Sequence, residues 1–179
     1  MNRLFSIIAV GASLTAAVSS AQVVKTIGGN PVIARSQKDG FAGYLLDVHH
    51  PFTHAGSLTH WEIYAYDTQP VELVIYRQTN GMFVEVGRSA AVMPVSGFNL
   101  FQLDKPIKVE AGDFIGALNG TIGLSGGSIA YSLDGTETVS QCVNNLERTT
   151  LLAFDKATNF ACSTNRTYSL RAFHLTSQD

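Results

Sequence analysis

Apolar residues in this chain come in short runs, and inside many of the runs they alternate with polar ones. In residues 58–66, His60, Glu62, Tyr64 and Tyr66 share one parity and Trp61, Ile63 and Ala65 the other. A period of two puts the two sets on opposite faces of a strand. Similar runs lie at 32–36, 41–48, 71–77, 83–89, 98–103, 107–110, 114–118, 128–133, 151–154 and 167–175. They are rich in Val, Ile, Tyr and Phe and are bounded by Gly, Pro, Asn and Asp, the composition of strands separated by turns. Asn80-Gly81, between two of the runs, predicts a tight hairpin, because both residues tolerate positive φ at little cost. Ala111-Gly112-Asp113 and Asp134-Gly135 mark further turns. No segment holds a long helical period, and only 139–148 is allowed a short helix. The expected fold is all-β: a two-sheet antiparallel β-sandwich, jelly-roll-like. Its core is expected to draw on Leu45, Trp61, Ile63, Leu73, Ile75, Phe83, Phe101, Leu103, Phe114, Ile115, Ile129 and Leu170.

The first residues break this pattern. Arg3 precedes an uncharged apolar run over 4–18, and Ser19-Ser20-Ala21 follows. This is the order of a cleavable secretory signal, too short for a comfortable membrane span. Residues 1–21 are read as the signal peptide and 22–179 as a single sandwich domain with no further span. The chain is expected to be extracellular, or periplasmic in a Gram-negative source.

Composition narrows the partners. The sequence has 12 basic and 14 acidic residues; loss of Arg3 on cleavage leaves a net charge of about −3. No basic stripe exists, which argues against nucleic acid, whose affinity rests on phosphate neutralisation. The two cysteines, Cys142 and Cys162, are expected to pair in an oxidising compartment. Asn119-Gly120-Thr121 and Asn165-Arg166-Thr167 are glycosylation sequons, relevant only in a source that glycosylates secreted proteins.

Three constellations carry candidate chemistry. His49, His50, His54 and His60 fall around the Pro51-Phe52 turn, and the first three are weak candidates for a metal. Their spacing matches no zinc signature, and adjacent His49 and His50 point to opposite sides of a strand. Asp47, Glu62, Asp113 and Asp134 offer oxygen ligands, but no dense acidic loop of the calcium-binding kind is present; no cofactor is expected. The third constellation is the strand face of His60, Glu62, Tyr64 and Tyr66, with Tyr76 and Arg77 on the following strand. Aromatic rings that stack on a sugar, beside charged groups that bond its hydroxyls, are the equipment of a glycan site. No nucleophile elbow occurs, so the sequence leans away from an enzyme.

The stretch from Trp61 to Leu133 resembles the jelly-roll β-sandwich modules of secreted adhesion and glycan-binding proteins. The resemblance rests on WEIYA (61–65), VELVIYR (71–77), FVEVGRS (83–89), GFNLF (97–101), PIKVEAGDFIG (106–116) and SIAYSLDG (128–135). It implies a fold, and by analogy a binding role, without assigning any catalytic residue. The expectation is a secreted non-catalytic module for carbohydrate or a surface glycan, oligomeric or not. The alternatives are a structural component of an extracellular layer acting through protein–protein contacts, and a small histidine-metal or hydrolytic enzyme. The intact mass of exported protein checks the processing: it should match a chain starting at Gln22 and lie two hydrogens below its reduced form. A start at Met1, or two alkylatable thiols, would contradict it.

Overall fold

The computed structural model of the protein describes residues 22–40, 42–121, 126–133, 140–143, 157–158 and 161–177. The signal segment, Asp134 and the expected strand at 151–154 lie outside the described residues. The strands are β1 (Gln22–Gly29), β2 (Gln37–Lys38), β3 (Gly43–Leu46), β4 (Gly56–Ala65), β5 (Val71–Thr79), β6 (Met82–Arg88), β7 (Gly97–Val109), β8 (Phe114–Asn119), β9 (Ala130–Ser132), β10 (Ser140–Val143), β11 (Ala157–Thr158), β12 (Ala161–Asn165), β13 (Thr167–Tyr168) and β14 (Leu170–Ser177). Among the described residues there is no helix. Where a short helix was allowed, residues 140–143 form β10, paired antiparallel with β12.

The long strands pair as a nested set: β1 with β14, β3 with β8, β4 with β7, and β5 with β6. Rolling such a hairpin onto itself brings β14 beside β4 and β8 beside β5. The result is a four-stranded sheet, β1-β14-β4-β7, facing a five-stranded sheet, β11-β6-β5-β8-β3. This is jelly-roll connectivity, as the sequence pattern led one to expect. A small third sheet, β13-β9-β2, completes the described part together with the β10–β12 pair. The β5–β6 hairpin closes through Asn80 and Gly81 at φ 51° and 78°, the doubly positive turn that suits the twist of flanking strands.

Strand parity decides what is buried. Leu58, Trp61, Ile63 and Ala65 of β4 face inward with Leu170 and Ala172 of β14, against Leu73 and Ile75 of β5 and Ile115 and Ala117 of β8. Trp61 is 1% exposed and its ring lies 4.7 Å from that of Phe101. Nine of the twelve expected core residues are buried there; Phe101 packs against the cluster from its rim. Phe83 and Phe114 instead border a second apolar cluster, formed by Tyr44, Leu46, Val74, Tyr76 and Leu118 of the five-stranded sheet.

Four expectations differ. The run at 167–175 is divided at Ser169 into β13 of the small sheet and β14 of the four-stranded sheet. Residues 32–36 are not a strand: Arg35 turns inward, its Nε bonded to Ser169 Oγ at 2.9 Å and its Nη1 to Ser132 Oγ at 2.8 Å. Residues 98–103 and 107–110 are not two strands but one, β7, with a wide bulge: Leu58 pairs with Ile107 and His60 with Gln102. And β5 does not neighbour β4; residues 66–70 carry the chain across to the other sheet. Truncating the central core ring should test the packing: Trp61→Ala is expected to cost about 3–5 kcal/mol, read as a fall in the urea midpoint.

Candidate functional site

The outward parity of β4 gathers His60, Glu62 and Tyr64, as expected. Register sets Gln102, Leu100 and Phe98 beside them on β7, and Phe173 and Arg171 on β14. Glu62 is buried and accepts a bond from Arg171 Nε at 2.7 Å. Arg171 in turn lies over the Phe173 ring, and His60 stacks on that ring from beside it, at 6.0 Å with 12° between planes. Glu62 therefore holds Arg171 rather than meeting solvent. Tyr64 is half-buried and meets Tyr66 edge to face, ring centroids 5.8 Å apart.

Tyr66 sits just past the end of β4 and is 39% exposed. Its hydroxyl donates to the backbone carbonyl of Arg35. Its ring forms one wall of an open hollow of about 520 Å³ whose other walls are Ser36, Gln37 and Lys38. Lys38 Nζ is held by Asp67 at 3.0 Å. An aromatic residue lining an open hollow together with polar residues is chemistry for a polar, hydroxylated ligand.

The polar wall is a two-residue strand, β2, and buried polar groups fasten it at both ends. On one side stands Arg35, bonded to Ser169 and Ser132. On the other stands Asp39, 4% exposed, which accepts from the Tyr168 hydroxyl at 2.8 Å, from Asn119 Nδ2 at 3.2 Å and from Arg166. The Arg166 guanidinium lies 4.4 Å over the Tyr131 ring, and β2 itself pairs with Ala130 and Tyr131 of β9. Between these anchors the side chains of residues 36–38 are presented on a fixed backbone, which lowers the ordering cost of binding. Asn119 is part of the same network, its Oδ1 accepting from the Ser128 and Ile129 amides at 2.7 and 3.0 Å. Only 1% exposed, the Asn119 sequon has no accessible acceptor in the folded chain.

The other sequence candidates lie elsewhere. Tyr76 was expected on the ligand face; it is 1% exposed, inside the second apolar cluster of the opposite sheet. Arg77 was expected to contribute to the same face. It is on the opposite sheet too, where it grips Asp113 through Nε at 2.7 Å and Nη2 at 2.9 Å and reaches Glu110 at 3.0 Å. Asp113, 1% exposed, also accepts the Glu110 amide at 2.7 Å, so the pair fixes the Ala111-Gly112 turn. Both displacements follow from the crossing at 66–70. Asp47 accepts from the His49 and His50 amides, from Asn30 and from the His50 ring. The His54 ring bonds Thr53. Among the described residues no three His, Cys, Asp or Glu side chains gather as a metal site. Ser36, Gln37 and Lys38 were missed by sequence reasoning; a two-residue strand carries no periodic signal, and the buried Arg35 and Asp39 flanking it were the available clue.

Burial pushes the Asp39 carboxyl above its ordinary range, while the Tyr168 hydroxyl, the Arg166 charge and the Asn119 amide pull it back. A carboxyl with a raised folded-state value contributes its full stability below the unfolded value and loses it as pH rises through the folded one. Asparagine at this position does not titrate. The stability of the natural chain relative to Asp39→Asn should therefore decline as pH rises above the ordinary carboxylate range of about 4, measured by urea unfolding at each pH; a difference constant with pH would contradict the burial effect.

Comparisons with family models, with curated proteins and with solved structures return no match, so functional inference rests on the geometry of this fold and of the Tyr66 hollow.

Proposed function

We propose that this chain is a secreted, non-catalytic binding module that recognises carbohydrate on an extracellular surface through the Tyr66 hollow. The observation that carries the reading is a partly exposed, edge-braced tyrosine lining an open hollow with the polar residues Ser36, Gln37 and Lys38. A sugar stacks its C–H face on such a ring and offers hydroxyls to groups like Ser36, Gln37 and Lys38. The hollow is open, as suits the end or a branch of a surface glycan. Tyr64 braces the ring; Arg171, held in place by Glu62, and His60 form the adjoining polar strip on which further residues of a chain would rest.

The oxidising compartment this reading requires agrees with the β10–β12 register, which sets Cys142 opposite Cys162. Directly opposed residues of an antiparallel pair are about 4.5–5.5 Å apart at Cα, inside the span of a disulfide. The alternative, a structural component acting through protein–protein contacts, draws on a different surface, the exposed Phe98 and Leu100 of β7.

A glycan array on the mature chain tests the reading, followed by titration of the best ligand. Tyr66→Ala is expected to weaken binding at least about tenfold. Its melting temperature should fall by only a few degrees, about 2–8 °C, since the residue is partly exposed and one hydrogen bond is worth about 1 kcal/mol. Binding unchanged in Tyr66→Ala, or no glycan bound by the natural chain, would remove the proposal.

A further inference from the structure

Among the described residues the four-stranded sheet ends on β7, which pairs there with β4 alone. A free edge presents unpaired N–H and C=O groups, and proteins usually blunt such edges with prolines, lysines or bulges. The two halves of β7 differ in this respect. Its C-terminal half has every guard: the bulge opposite residues 58–60, with Asp104, Lys105 and Pro106 on it, and Lys108 beyond. The N-terminal half, residues 97–103 (GFNLFQL), has no charge, no proline and regular pairing to β4. Two of its three outward side chains are apolar, Phe98 55% and Leu100 52% exposed, the third being the uncharged Gln102, and Met93 and Val95 just before the strand are more exposed still. The opposite edge of the same sheet, β1, carries Lys25 and an irregularity in its pairing between Lys25 and Ile27; on the other sheet β11 covers β6 at Phe83 and Val84, and β10 lies against β3.

We infer that this half-edge is a self-association surface, on which a second copy of the chain adds its own β7 antiparallel about a twofold axis at Asn99. The charge pattern selects both occupant and register. The partner strand must be uncharged over about six residues and apolar on one face, and 97–103 meets that description itself. With the axis at Asn99, Phe98 of each copy faces Leu100 of the other on the outer side, a cross-strand aromatic–aliphatic pair made twice. Gly97 of each copy then faces Phe101 of the other, while Ser96, at a bend before the strand, and Asp104 and Lys105 fall outside the paired segment. Moving the axis two residues toward the C-terminus would set Asp104 against Phe98. The two four-stranded sheets would run on as one across an isologous interface. The Tyr66 hollow is contributed by other residues, so a dimer would carry two glycan sites.

Sedimentation of the mature chain over a concentration series tests this. The natural chain is expected to dimerise with a dissociation constant below about 100 µM. Leu100→Lys, which restores an edge guard at an exposed position, should raise that constant at least about tenfold, and Phe98→Ser should act in the same direction. Leu133→Lys, an equally exposed apolar site elsewhere, should leave it unchanged. Circular dichroism confirms that each variant is folded. A natural chain that stays monomeric throughout, including one that pairs only with a foreign protein, overturns the inference. So does a dimer indifferent to both β7 variants. Glycan binding by the natural chain, titrated at concentrations where sedimentation shows it monomeric, keeps this result separate from the fate of the Tyr66 proposal.

Discussion

Two apolar sheet faces that cover one another are the condition on which everything else in this molecule depends. Neither sheet can be left alone in water: Trp61, Ile63 and Leu170 on one side and Leu73, Ile75 and Ile115 on the other are all but fully withdrawn from it. Burial of side chains of this size contributes about 1.5–3 kcal/mol each, against a backbone ordering cost of about 1–2 kcal/mol per residue. The nested antiparallel pairing meets the condition with one continuous chain, because each outer pair of strands is brought over the pair it encloses. The connection at 66–70 is one such passage between sheets. It leaves Tyr66 at the lip of the sandwich, tied to the segment that crosses the opening.

Polar burial does a different job from apolar burial here. Arg35, Asp39, Asn119, Tyr168 and Arg166 are buried or nearly so, and desolvating them is costly unless their bonds are met. Their partners come from segments far apart in sequence. Asp39 is 127 and 129 residues from Arg166 and Tyr168, and Arg35 is 134 from Ser169. Such bonds add little net stability but favour a single arrangement over its competitors. The arrangement they select is the position of β2 against β9, and with it the polar wall of the hollow. The Arg77–Asp113 pair does the same at the other end of the molecule, where it sets the turn between β7 and β8.

The surfaces divide accordingly. The five-stranded sheet carries a second apolar cluster on Tyr44, Leu46, Val74 and Tyr76, so its side chains serve packing. The four-stranded sheet carries an ion pair, a stacked histidine and an unguarded half-edge, and it is here that ligand and self-association proposals both find material. The two are spatially distinct uses of one sheet: the hollow lies past the end of β4, the edge along β7.

Strand parity was legible along the chain, because a period of two is written residue by residue and follows from local backbone geometry. That is why the all-β class, the Asn80-Gly81 hairpin, the jelly roll and most of the core could be read directly, as could the shared face of His60, Glu62 and Tyr64. The failures have a common cause. Tyr76 and Arg77 have the right chemistry, but parity is silent on whether five residues turn back as a hairpin or pass over to another sheet. Residues 98–110 read as two strands because a bulge interrupts periodicity without interrupting the strand. Ser36, Gln37 and Lys38 had no pattern to give them away. The alternation of apolar and polar residues by itself determined which residues face a core; which sheets make that core, and which side chains meet Tyr66, only the tertiary structure decided. Faces are set by neighbours in sequence, whereas the pairing of β14 with β4 and the Arg35–Ser169 and Asp39–Tyr168 bonds join groups more than a hundred residues apart, whose meeting no local pattern encodes.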